Sequence, residues 1–144
     1  MARVSTYLNF MGNTQEAFTF YREVFGTDFI GDVQRMGDVP SNPDVPPLSE
    51  LEQHMVMHIE LPILGGHVLM GTDMIQSLGH QLHIGNNTTV MLEPDSREDA
   101  DRLYGMLSQD STEATGMMEM FWGAYWGVCL DRFGIRWMIN VSPA

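Results

Sequence analysis

Basic residues are scarce in this chain, with 7 Lys and Arg against 19 Asp and Glu and a formal net charge of −12. A phosphate-binding surface needs clustered cations, so nucleic acid is excluded as a partner, and an anionic membrane surface is disfavoured for the same reason. Cysteine is almost absent. The lone Cys129 rules out a disulfide framework within the chain and fits a reducing compartment. It lies in the apolar run from Trp126 to Leu130, which marks it as a buried structural thiol and not a nucleophile. No stretch of 18 apolar residues occurs, and no basic segment followed by an apolar one opens the chain, so a cytoplasmic protein with no membrane association is expected. There is no Walker-type loop, no Gly-x-Ser-x-Gly and no zincin motif.

What is present is an ordinary globular composition, 44% hydrophobic and 18% charged over 144 residues, which suits one domain with a real core. Val4 to Met11 is rich in β-branched and aromatic residues and predicts a strand. Asn13, with Glu16 three residues on, predicts a helix start, and Ala17, Phe20, Tyr21 and Val24 supply a core-facing stripe that Gly26 ends. Thr27 to Met36 predicts a second strand. Residues 37–53 carry four prolines and are expected to form one long loop without regular structure. His54 to Leu61 and His67 to Thr72 predict two strands joined at a tight turn on Gly65-Gly66.

The same order then returns. Asn86 to Glu93 predicts a strand, Asp95 caps a helix with Ala100, Leu103, Tyr104 and Leu107 as its apolar stripe, and Glu113 to Trp122, Tyr125 to Asp131 and Ile135 to Val141 predict three more strands. Sliding the chain by 82 places Thr6 on Thr88, Leu8 on Val90, Phe10 on Leu92 and Asn13 on Asp95. A slide of 68 places Gly66 on Gly134 and Met70 on Met138, the Pro-rich loop accounting for the change of shift. The expected fold is α+β: two βαβββ modules, 1–78 and 79–144, within a single domain. They would form a curved eight-stranded mixed sheet around a cavity, with the helices outside.

Three stretches carry a family resemblance. They are Tyr7-Leu-Asn-Phe-Met-Gly-Asn13 with Glu16-Ala17 and Phe20-Tyr21; His58 through Gly65-Gly66 to Met70 and Asp73; and Phe121-Trp-Gly123 with Asp131-Arg-Phe-Gly134 and Trp137-Met-Ile-Asn140. The chain resembles the PhnB-like group of the vicinal-oxygen-chelate superfamily, which includes glyoxalases, extradiol dioxygenases and bleomycin-binding proteins. The resemblance implies the glyoxalase/bleomycin resistance fold and a homodimer. Members of the group often carry a demethylubiquinone-methyltransferase label, but no Gly-rich loop after a strand is present to cradle a nucleoside cofactor, and no cofactor is expected.

Enzymes of the superfamily hold a divalent metal with His, Glu or Gln side chains on the first and last strand of each module. The resemblance carries those positions onto Thr6, Met70, Thr88 and Met138. Hydroxyls and thioethers are poor ligands for hard divalent ions, so no metal is expected, and these four residues are read instead as the lining of a ligand pocket. Strand alternation puts Arg136 and Asn140 on the face of Met138, which makes them its polar partners. Trp122, Tyr125, Trp126 and Trp137 are aromatic residues suited to stacking on a planar ligand, with Trp122 in the candidate site. The pairs His54/His58 and His80/His83 lack a third ligand. If Gly65 and Gly66 are the two central turn residues, His58 lies opposite Asp73, and a carboxylate there would fix the imidazole tautomer for general-base chemistry. The leading expectation is metal-independent binding of a small molecule. The alternatives are a metal-dependent lyase or dioxygenase-type enzyme and a metal-free acid–base catalyst using His58.

Overall fold

The computed structural model describes all 144 residues, which divide into two compact units, Met1–His83 and Ile84–Ala144. The architecture is α+β. In the first unit β1 (Thr6–Phe10) leads to α1 (Thr14–Phe25), then β2 (Gln34–Arg35), a short helix α2 (Glu50–Gln53), β3 (Val56–Pro62) and β4 (Val68–Asp73). In the second, β5 (Val90–Leu92) leads to α3 (Arg97–Leu107), followed by β6 (Glu113–Ala114), β7 (Met118–Glu119), β8 (Tyr125–Leu130) and β9 (Arg136–Val141). The strands form one four-stranded sheet in the order β1-β4-β3-β2, and one five-stranded sheet in the order β5-β9-β8-β6 with β7 also on β8. Both sheets are mixed, because β1 runs parallel to β4 and β5 parallel to β9 while the other pairs are antiparallel. No helix is long and apolar enough to cross a membrane.

The two long helices, α1 and α3, each bury the stripe that their spacing predicts. Ala17, Phe18, Phe20, Tyr21 and Val24 of α1 are buried, as are Ala100, Leu103, Tyr104 and Leu107 of α3. They pack on the strand residues of matching parity: Leu8, Phe10, Ile59, Leu61 and Leu69 in the first sheet, Leu92, Cys129, Trp137 and Ile139 in the second. Contact at Gly71 is so close that a Cβ there would lie 2.5 Å from Cε1 of Phe18, so only glycine lets α1 reach the sheet.

Several local expectations are corrected. Of Thr27 to Met36 only Gln34–Arg35 is strand, because Gly31 turns through φ 68° and the chain keeps just isolated bonds to β3, such as Ile30 N–H to the Glu60 carbonyl. The Pro-rich loop contains the helical turn α2. It starts beyond the last proline, where Ser49 and Glu52 form a reciprocal capping box. The strand expected over Glu113 to Trp122 is broken at Gly116 (φ 78°) into β6 and β7. Ser96, not Asp95, caps α3, accepting from the Asp99 N–H at 3.1 Å.

The β3–β4 hairpin carries the correction that matters for function. Gly65 and Gly66 both take positive φ, but the loop they close holds three residues, Leu64 to Gly66, with the Ile63 N–H donating to the His67 carbonyl at 2.7 Å. The pairing is therefore Ile59 with Gly71 and Glu60 with Met70, one residue away from the register of a two-residue turn. A slip of one residue exchanges the faces of a strand.

Candidate functional site

On the first sheet, the face turned away from α1 holds Tyr7 and Asn9 of β1, His58 and Glu60 of β3, and Met70 and Thr72 of β4. The pairs Tyr7–Met70, Asn9–Thr72 and Glu60–Met70 place these residues side by side. His58 does not face Asp73. Its Nε2 lies 3.3 Å from Oε2 of Glu60 and its Nδ1 3.1 Å from the Tyr7 hydroxyl, with the two rings 5.7 Å apart. Arg3 approaches the other Glu60 oxygen at 3.5 Å. A carboxylate only accepts, so the His58 nitrogen facing it carries the proton and Nδ1 accepts from Tyr7. Partial burial, with the Glu60 charge adding to it against a Thr72 hydrogen bond, raises the pKa of the Tyr7 phenol above its ordinary value.

Asp73 is instead a buried structural carboxylate on the helix side. Its Oδ1 accepts from the Thr14 N–H at 3.0 Å and the Thr14 hydroxyl at 2.6 Å, and its Oδ2 from the Val56 N–H at 2.8 Å. Asn13 makes no side-chain cap, so Asp73 caps α1 from across the fold. Thr6 likewise belongs to the other face: it pairs with buried Leu69, and its hydroxyl bonds Nε2 of His67 at 2.8 Å. The β1 residue that shares a face with Met70 is Tyr7.

On the second sheet, the face turned away from α3 holds Arg136, Met138 and Asn140 together, all half-buried, as alternation predicts. Across β8 they pair with Leu130, Val128 and Trp126. Met91 of β5 completes the row at Met138. Thr88 precedes β5 and is exposed, so Met91 occupies the place expected for it. Trp122 lies in the turn between β7 and β8 with its ring against Phe121, outside this row. Trp126 is the aromatic residue beside Asn140, a position that the β8–β9 register picks out from the late aromatic cluster. Trp137 is core: it is fully buried and its Nε1 donates to Oδ2 of Asp131 at 2.8 Å.

Arg136 is the polar centre of that face. Its Nη1 donates to Oε2 of Glu113 at 3.1 Å, while its Nε is buried without a hydrogen-bond partner. The other candidate groups have structural roles. His80 Nδ1 accepts from the Ile75 N–H at 2.9 Å, and burial pushes the Cys129 thiol up to about 11, which leaves it unreactive at neutral pH.

The residues do not fit the divalent metal of the superfamily. No group of three His, Cys, Asp or Glu is arranged to hold one. Met70 and Met138 offer thioethers, Tyr7 and Met91 stand beside them, and the carboxylates on the two faces are already engaged, Glu60 with His58 and Glu113 with Arg136.

Two βαβββ modules with mixed sheets are the glyoxalase/bleomycin resistance fold, and solved structures agree. A glyoxylase/bleomycin resistance protein/dioxygenase domain from Frankia sp. EAN1pec superposes with a TM-score of 0.64 at 12% identity, covering 99% of this chain and 93% of its own. PA1353 from Pseudomonas aeruginosa superposes at 0.82 with 26% identity over the whole of both chains, and a PhnB protein from Bacillus cereus at 0.75 with 18% identity over 98% of this chain and 100% of its own. Protein YjdN of Escherichia coli K12 is 27% identical over 143 residues, 96% of this chain and 94% of YjdN. The family model described as 3-demethylubiquinone-9 3-methyltransferase matches residues 2–140. The chain belongs to that family, the PhnB-like group of the vicinal-oxygen-chelate superfamily.

Proposed function

We propose that this protein binds a small organic molecule without a metal, and that the second module takes its carboxylate on Arg136. The observation that carries this reading is the buried Arg136 Nε–H without an acceptor, on a sheet face that α3 does not cover. An unsatisfied buried donor costs about 1–3 kcal/mol, and a ligand oxygen placed against it recovers that loss. A planar oxyanion matches the fork of guanidinium N–H groups that Glu113 leaves over. Met138, Met91, Val128 and the Trp126 indole supply the apolar surround, and Asn140 a second polar contact. Methyl transfer is not part of the reading. The β1–α1 connection has one glycine, Gly12, and the first N–H of α1 is already held by Asp73.

The reading is tested by titrating the protein with benzoate, a planar aromatic carboxylate, followed by calorimetry. Arg136→Ala is expected to weaken binding at least tenfold, consistent with about 1.5–3 kcal/mol for a charged hydrogen bond. Unchanged affinity in that variant contradicts the assignment. We also propose a homodimer. The exposed Phe121 and Trp122, 97% and 53% accessible, support a surface for a second copy. Light scattering is expected to give about twice the chain mass of 16.3 kDa, and a monomer mass rejects the pairing.

A further inference from the structure

We propose that Tyr7, His58 and Glu60 form a proton relay on the first sheet, with the Tyr7 phenol exchanging a proton with a small neutral carbonyl compound. The three groups stand in series: Glu60 Oε2 to His58 Nε2 at 3.3 Å, and His58 Nδ1 to the Tyr7 hydroxyl at 3.1 Å. Glu60 fixes the tautomer, which leaves Nδ1 as a base directed at the phenol. Leu8 and Phe10, the helix-side neighbours of Tyr7 on β1, are buried, whereas Tyr7 is 49% exposed. Its oxygen is therefore held by His58 yet open to a reactant. The Tyr7 phenol is protonated at neutral pH, as any phenol is, and that is the state from which the relay starts.

In the forward step the Tyr7 oxygen takes a proton from the carbon next to the carbonyl, while the phenol's own proton moves to His58 Nδ1. The electron pair of the broken C–H bond becomes the enolate, and Glu60 stabilises the imidazolium. The reverse step returns a proton to carbon, so no oxidant or reductant is needed. Asn9 pairs with Thr72 on the same face, two residues along β1 from Tyr7, and its amide is the neutral donor nearest in the register to the enolate oxygen. The Glu60 charge favours a neutral reactant over an anionic one. Tyr7 is the catalytic residue in this scheme, and His58 and Glu60 are positioning residues that act through it. The proposal goes beyond the binding reading and uses neither Arg136 nor the second sheet.

The test is proton NMR of hydroxyacetone in D₂O, following loss of its α-proton signals with and without protein. The protein is expected to accelerate exchange over buffer, and Tyr7→Phe to lose about 100-fold of that acceleration. His58→Ala should lose a similar factor and recover part of it when imidazole is added. Glu60→Gln should slow exchange about tenfold and lower the midpoint of Tyr7 phenolate formation, read by ultraviolet absorbance, because a negative neighbour is removed. Circular dichroism establishes that each variant is folded. Exchange no faster than in buffer, a Tyr7→Phe protein with the full rate, or a folded His58→Ala protein that imidazole does not restore overturns the relay.

Discussion

Asp73→Ala is expected to lower the free energy of unfolding by roughly 3–5 kcal/mol. The carboxylate is 3% exposed and accepts from two backbone N–H groups and one hydroxyl. Removing it leaves the Thr14 and Val56 N–H groups buried and unpaired, and takes the only side-chain cap from the start of α1. Since Val56 opens β3 and Thr14 opens α1, one residue at the end of β4 holds three elements. Asp73→Asn should not rescue it fully, because an amide NH₂ would face one of the N–H donors. Urea unfolding measures the difference. A loss under about 1 kcal/mol would mean that the bonds contribute no more than water does.

Trp137→Ala should cost a similar amount, roughly 4–5 kcal/mol, from the cavity left by a large aromatic side chain and the loss of its bond to Asp131. Asp131 also accepts from the Phe133 and Ile135 N–H groups, so the indole closes a hairpin turn as well as filling the core under α3. Its neighbours Arg136 and Met138 point to the opposite face and are only partly buried. Met138→Ala is therefore expected to cost about 1–2 kcal/mol, in proportion to the smaller apolar area removed. Thermal and urea unfolding of the two variants side by side check the alternation. Equal losses would place Met138 in the core and remove it from the ligand face.

The module order, both helix stripes and the face shared by Arg136, Met138 and Asn140 were legible because they follow from periods of 3.6 and 2, which the side chains themselves display. The first-strand residues were misplaced because a resemblance counts back from a helix cap, and a count through a loop carries no information about parity. Tyr7, two residues from Asn9 and paired with Met70, was part of the family signature but not of the expected site. The His58 error had a different source. Two adjacent glycines suggest a two-residue turn, and nothing in Leu64-Gly65-Gly66 announces that a third residue joins the loop. That single residue turns Asp73 inward as a cap and brings His58 beside Glu60 and Tyr7. Long-range partners of this kind, such as the cap from Asp73 to Thr14, have no local signal to read.

Binding without a metal is tested most directly by benzoate calorimetry on protein stripped with EDTA and on the same protein reloaded with Ni²⁺, Zn²⁺ or Mn²⁺. Equal affinity in both preparations, with metal well below one ion per chain after desalting, is the predicted result. Benzoate binding that appears only when one ion is bound per chain would contradict it.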